Sequence, residues 1–386
     1  MKVLLLSPFA PNLRHDHAAA DTIVQLVPRL AKRVDLHVYS PQNHAGTMST
    51  GQPDPGYTLV PATAAAPAGH LDRLGVKPAW LRQAWPHQAN RDVAAAIRRI
   101  KPDVIHAEYL QSAEVIGRRP NAVLGLHDVT ESVMRQSLRS ASLVSKPYRL
   151  AELFRTRWFE RGAIRRAAAV LTLSEADFVV AATLNRNVVL ARPGVELGDR
   201  QWASRPAAAA PRLVFAGAMW RRANVLIAHF LVREVMPLVW RDFPTAELRI
   251  VGARPPADVI ELASADHRVV VTGEVADIRD EMLDSHAVLA PSIVGGGVLM
   301  KVAHAMALGC PVVTSPGPAA SVDGDETSLF IGSEAGSLAD AVRRVLGSPD
   351  EAARRGHNAR EHIGRLFRWD NTVEAYLSAY AMARRA

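Results

Sequence analysis

Short apolar runs alternate with longer segments whose apolar residues recur every third or fourth position, along almost the whole chain. Runs of Val, Leu and Ile without polar alternation suit strands buried on both faces. The segments between them suit helices that cover those faces, so the pattern predicts an α/β protein built on parallel sheets. In the first half, strands are expected at 3–7, 36–39, 104–106, 123–126 and 170–173. Ile23, Leu26, Val27 and Leu30 form a helical stripe, with Asp21 expected as its cap and Pro28 expected to kink or shorten it. Further helices are expected over 90–100 and 148–166, whereas 41–87, rich in Pro, Gly and Ala, gives no periodic signal.

The alternation stops near Glu196. Residues 197–211 contain Gly198, Pro206 and four consecutive alanines and read as a linker. A second series follows, with strands expected at 213–216, 248–251, 269–272, 288–290 and 312–314. Helices are expected at 225–240 and 301–308, and at 337–346, 349–366 and 370–384 beyond the last strand. The expected organisation is a first domain over 1–196, a linker over 197–211, a second domain over 212–367, and a last helix over 368–386 packing back on the first domain. Two doubly wound, Rossmann-like domains would then face each other across a cleft. Ligands in such sheets sit outside the carboxyl ends of the strands.

A chain of 386 residues, 48% hydrophobic and 22% charged, holds enough apolar material for two cores. Its net charge of +8 describes either a solvated basic surface or one that serves an anionic ligand or membrane. No zinc-finger, RNP or basic-zipper pattern accompanies the charge, so nucleic acid is not an expected partner. The single Cys310 excludes an intramolecular disulfide framework and reads as a buried thiol. No stretch of 18 apolar residues occurs and the start does not read as a signal peptide, so a cytoplasmic location is expected.

The most specific chemistry lies at Gly295-Gly296-Gly297, which opens a helix carrying Lys301 and ending at Gly309, before the strand after Pro311. Glycines at a helix start let an anion approach unpaired N–H groups, so this is a candidate phosphate cradle. Gly217, at the end of the strand at 213–216, permits a similar approach, and Arg222 five residues on offers a guanidinium for a diphosphate. Glu108 and His127 each follow a strand of the first half, as does the cluster His15-Asp16-His17. Ser174-Glu175-Ala176-Asp177 reads as a helix start with a cap, and Asp277 as another.

These motifs resemble those of the GT-B glycosyltransferases of family 4 type, also called glycosyl transferases group 1. The resemblance covers nearly the whole chain and is strongest over 213–315. The family's signature is a glycine-rich turn and a helix ending like Glu-Ala-Met-Ala-x-Gly-x-Pro-Val-Val. This chain has His304-Ala305-Met306-Ala307-Leu308-Gly309-Cys310-Pro311-Val312-Val313. His304 thus stands where the family's ribose-binding glutamate is expected, Gly296 where its other glutamate falls, and Leu299 where the subgroup has arginine.

The resemblance implies transfer of a sugar from a nucleoside-diphosphate sugar, UDP- or GDP-linked, with retention at the anomeric carbon. Neither a cofactor nor a metal is expected. The acceptor would be a small molecule or glycan, in envelope or natural-product synthesis. The implied donor site comprises Gly217, Arg222, Val275, Gly295, Gly296, Gly297, Lys301 and His304, with the backbone around Val275 against the base. His127 and Glu108 are the implied catalytic residues, and His15, Asp16 and His17 the acceptor side. The alternatives are a sugar-nucleotide isomerase of the same fold and a non-catalytic binding or scaffold protein. The arginine-rich helix over 149–166 suits either peripheral contact with an anionic membrane or a solvated outer face.

Overall fold

A computed structural model describes residues 1–11, 18–42, 56–64, 75–117, 119–139, 145–204, 210–292 and 299–385. The chain divides into two compact units, Met1–Gly194 with Trp369–Ala386, and Val195–Arg368.

Unit 1 is a seven-stranded sheet of β1 (Lys2–Leu6), β2 (Asp35–Tyr39), β3 (Thr58–Val60), β4 (Val104–Glu108), β5 (Ala122–Leu126), β6 (Ala169–Thr172) and β7 (Val188–Leu190). All pairs are parallel, in the order β3-β2-β1-β4-β5-β6-β7. Every residue of β4, β5 and β6 is buried, including the polar His106 and Glu108 of β4. One face packs on Ile23, Leu26, Val27 and Leu30 of the helix Ala18–Ala31 and on Tyr376 and Tyr380 of the helix Trp369–Ala383. Trp369 packs against Gly194, where a Cβ would stand 2.2 Å from its ring, so only glycine fits.

Unit 2 is a six-stranded sheet of β8 (Arg212–Ala216), β9 (Glu247–Val251), β10 (Val269–Gly273), β11 (Ala287–Ala290), β12 (Val312–Thr314) and β13 (Phe330–Ile331). It too is parallel throughout, in the order β10-β9-β8-β11-β12-β13. Helices cover both faces and enclose two apolar clusters, one around Phe215 and Phe330, the other around Met306 and Phe367. Cys310 is buried in the second.

Three local expectations are corrected. The helix expected to be capped by Asp21 starts at Ala18, which places Asp21 in its first turn, and it runs through Pro28 to Ala31. With Pro28 in the last turn, only one backbone bond is lost while Leu30 still reaches the core. The helix expected over 225–240 starts at Arg222 and contains a π-helical turn, Leu231–Val235, before Met236–Val239. The third concerns β4, which extends two residues past its expected end, to Glu108.

Candidate functional site

In each sheet the strand order reverses once, between β1 and β4 in unit 1 and between β8 and β11 in unit 2. The carboxyl ends of strands beside such a reversal leave a crevice where ligands of doubly wound sheets bind.

In unit 2, Gly217 ends β8 at this point and its N–H donates to Val251 O at 2.9 Å. A Cβ there would come within 2.8 Å of the Asn224 amide. That amide donates to Ala218 O at 2.9 Å and accepts from Lys301 Nζ at 3.1 Å. Lys301 sits on the first turn of the helix Met300–Ala307, and its ammonium also lies 4.4 Å from the centre of the Phe215 ring. Burial, and then the charge of Arg221, lower the Lys301 pKa to about 7. Among the described residues Lys301 has an amide oxygen and a ring face as partners and no carboxylate, so it is short of negative charge. An anion beside it would supply that charge.

Both arginines in this turn are exposed; Arg221 is the one whose charge acts on Lys301, and Arg222 takes the first position of its helix. Arg222 is the expected diphosphate arginine, and nothing in the sequence signalled Arg221 or Asn224 beside it. Gly252 was also missed. A Cβ on it would stand 1.8 Å from Gly217 O, so the β8 and β9 ends approach this closely only with glycine there.

His304 follows Lys301 by three positions, on the same helix face. Its side chain is exposed and makes no hydrogen bond or ion pair with a described residue. Surrounding protein, and then Arg279, hold its pKa below the ordinary histidine value. Val275 lies in the turn between β10 and the helix Ile278–Leu283, whose start Asp277 caps by accepting from Arg279 N at 2.9 Å. Gly295, Gly296 and Gly297 lie outside the described residues. The segments flanking them are tied down by Ser292 N to Ser315 Oγ at 2.9 Å and by Leu299 N to Ser321 Oγ at 3.2 Å.

In unit 1, the extension of β4 puts His106 and Glu108 on one face, two residues apart. Glu108 is fully buried. One carboxylate oxygen lies 2.6 Å from His127 Nε2 and accepts from the Tyr376 hydroxyl at 2.9 Å. The other lies 2.6 Å from His106 Nε2, and His106 Nδ1 meets the Tyr380 hydroxyl at 2.8 Å. Burial alone would raise the Glu108 pKa, but His106 and His127 outweigh it and hold the carboxyl well below its ordinary value. Gly125, opposite Glu108 on β5, makes the room, since a Cβ there would fall 2.5 Å from Glu108 Oε2.

His127 itself is slightly exposed and stacks on Tyr109, with ring centres 3.6 Å apart. Tyr109 adopts φ 70, an uncommon conformation for a residue with a side chain, directly beyond β4. Its loop partner, 127–131, is held by Asp177 accepting from Val129 N at 3.0 Å and by Glu160 accepting from Thr130 N and Glu131 N. Burial raises the Glu160 pKa to about 7. The Glu108 carboxylate has no exposed surface, and of its side-chain partners here His127 is the one with exposed surface. His15, Asp16 and His17 lie outside the described residues.

Residues 210–348 match the family model described as Glycosyl transferases group 1. The chain is 30% identical over 223 residues to D-inositol 3-phosphate glycosyltransferase of Actinosynnema mirum, covering 51% of this chain and 52% of that one. A protein of the same name from Gordonia bronchialis is 36% identical over 111 residues, 28% of this chain and 24% of its own. The chain thus matches about half the length, or less, of these relatives. Among solved structures, sucrose-phosphate synthase from Thermosynechococcus elongatus superposes with a TM-score of 0.75 at 18% identity, covering 98% of both chains. Anabaena HepE in complex with UDP-glucose superposes with a TM-score of 0.68 at 17% identity, again over 98% of both. The chain therefore has the GT-B fold, and its residues 210–348 are similar to the glycosyl transferases group 1 family.

Proposed function

We propose that this protein transfers a sugar from a UDP- or GDP-linked donor to a small-molecule or glycan acceptor, with retention at the anomeric carbon. The observation that carries the reading is Lys301, a largely buried cation without a carboxylate partner among the described residues, at the strand reversal of the matched region. The printed names of the comparison proteins support it: one structure holds UDP-glucose, and the relatives are named for glycosyl transfer to an inositol phosphate.

In this reading Lys301 and the arginines at 221 and 222 take the charge of the diphosphate, helped by backbone N–H groups of Gly295, Gly296 and Gly297. Gly217 keeps the approach open. The backbone at Val275 reads the base, and His304 offers one donor and one acceptor to the ribose hydroxyls. In unit 1, His127 orients the acceptor hydroxyl and the transferred sugar, with Glu108 fixing its ring from behind. His15, Asp16 and His17 complete the acceptor side. The bond from the anomeric carbon to the diphosphate oxygen breaks as the acceptor oxygen bonds to the same face. The acceptor proton passes to the departing diphosphate. The protein contributes placement and charge stabilisation of the leaving group, without a covalent intermediate. A role in envelope or natural-product synthesis suits this chemistry.

The test is incubation with UDP- and GDP-sugars and an acceptor panel that includes inositol phosphates. Released nucleoside diphosphate and product mass are measured, and anomeric configuration is read by NMR. Transfer with retention is expected. A changed sugar nucleotide without acceptor would assign an isomerase, and nucleotide binding without any turnover a scaffold.

A further inference from the structure

Four fully buried side chains stand behind His127: His106 and Glu108 on β4, and Tyr376 and Tyr380 on the helix Trp369–Ala383. Residues two apart share a face of a strand and residues four apart share a face of a helix, so the two pairs meet inside unit 1. The Tyr376 ring centre lies 5.4 Å from that of His106 and 6.4 Å from that of Tyr380. A buried carboxylate is costly unless its neighbours serve its charge. Among the described residues no arginine or lysine pairs with Glu108; two imidazoles and a phenol do so instead.

The distances say where the protons lie. Burial and the Glu108 charge hold the Tyr376 pKa well above its ordinary value, so its hydroxyl keeps its proton and donates it to Glu108 Oε1. His127 Nε2 lies 2.6 Å from the same oxygen, and His106 Nε2 lies 2.6 Å from the other. Glu108 is ionised and has no proton to give, so a ring nitrogen this close to it must carry one. His127 Nδ1 makes no hydrogen bond among the described residues and is not an enclosed atom, so it reaches solvent. The Tyr109 ring, stacked on the imidazole, fixes the plane in which Nδ1 points.

We propose that Tyr376, His106 and Tyr380 are positioning residues that hold Glu108 in place, so that His127 stays in its Nε2–H form and offers its Nδ1 lone pair to a substrate hydroxyl. Tyr376 shares the oxygen that meets His127. His106 holds the other oxygen, and the Tyr380 hydroxyl holds His106 from behind, 2.8 Å from its Nδ1. The opposite tautomer would present an N–H to the substrate and could engage a hydroxyl only through the lone pairs of its oxygen. The last helix of the chain thus acts on the site without touching a substrate. The proposal rests on the reading that His127 meets the substrates of a sugar transfer.

The test has two arms. The first is long-range proton–nitrogen NMR of the full chain carrying 15N-labelled histidine at pH 8, above the ordinary histidine value of about 6.5. A bare ring nitrogen resonates far from a protonated one, and His127→Asn identifies the His127 signals. Nε2 protonated and Nδ1 bare are expected. Glu108→Gln sets an amide NH2 against one of the two histidines, and His106 or His127 should then change tautomer. The second arm is transfer kinetics of Tyr376→Phe and Tyr380→Phe, which keep the rings and remove one hydroxyl each. Well below their unfolding temperatures, kcat should fall roughly tenfold with KM for the sugar nucleotide unchanged. A His127 with Nδ1 protonated, two histidines indifferent to Glu108→Gln, or wild-type kcat in both tyrosine variants would overturn the proposal. If the wild type transfers no sugar, the proposed function fails on its own, and the spectrum alone decides the assignment of the ring.

Discussion

If the diphosphate of a nucleotide meets Lys301, its binding must depend on pH in a way the site dictates. Lys301 has a pKa of about 7 in the free protein, so its ammonium is about half formed at pH 7. An anion held against it favours the charged form, and each binding event then draws up to about half a proton from solution at neutrality. Above pH 7 the free protein increasingly has to be protonated before it binds. Affinity falls in proportion to 1 + 10^(pH − 7), a factor of about 50 between pH 7 and pH 9, or about 2.3 kcal/mol. A phosphate's second ionisation lies near pH 6 and does not interfere in this range. Calorimetric titration of UDP and GDP at several pH values, in buffers of different ionisation enthalpy, reads both affinity and proton uptake. Lys301→Arg, which stays charged, should flatten the dependence. A wild-type affinity constant across this range, or the same slope in the arginine variant, would refute the argument.

Other consequences follow from the packing. Gly252→Ala should destabilise unit 2 by about 1–3 kcal/mol and weaken nucleotide binding, since the new methyl meets Gly217 O at 1.8 Å; wild-type melting and affinity would contradict it. Glu108→Gln should cost about 3 kcal/mol at pH 7 by removing a buried charge that His106, His127 and Tyr376 face. The folded carboxyl titrates below its ordinary 4.5, so its contribution is complete above that pH and is lost as pH falls through the folded value. The stability gap between wild type and variant should therefore narrow in acid, and a gap independent of pH between 7 and 3 would show that the charge contributes nothing.

Most strands were legible because both sheets are parallel and covered on each face, so their centres read as apolar runs, within two residues of where they lie. The short edge strands β3, β7 and β13, of two or three residues, offer too little pattern to find. At the site, His127, Glu108 and Gly217 stood out by type and by their place at strand ends, and Lys301 by its place on the helix that the glycines open. Their partners did not. Tyr376 and Tyr380 lie 268 and 274 positions from the groups they bond, and no local spacing signals a pairing of that range. Gly125 looks like an ordinary member of an apolar strand until the carboxylate opposite it is seen. Arg221 and Arg222 are indistinguishable by spacing, and only the turn that starts the helix at Arg222 brings Arg221 toward Lys301. The missing signal for Asn224 was weaker still, since its role is to hold Lys301 rather than to carry charge.

The central claim is that the crevice of unit 2 binds a nucleoside diphosphate through Lys301. Thermal unfolding of wild type and Lys301→Ala against UDP, GDP, ADP, TDP and CDP tests it most directly. A ligand at 100 times its dissociation constant stabilises by about 2.7 kcal/mol. The account predicts that UDP or GDP raises the wild-type unfolding temperature selectively and that Lys301→Ala, equally well folded, loses most of the shift. A wild type indifferent to all five, or a variant stabilised as strongly as the wild type, would contradict it.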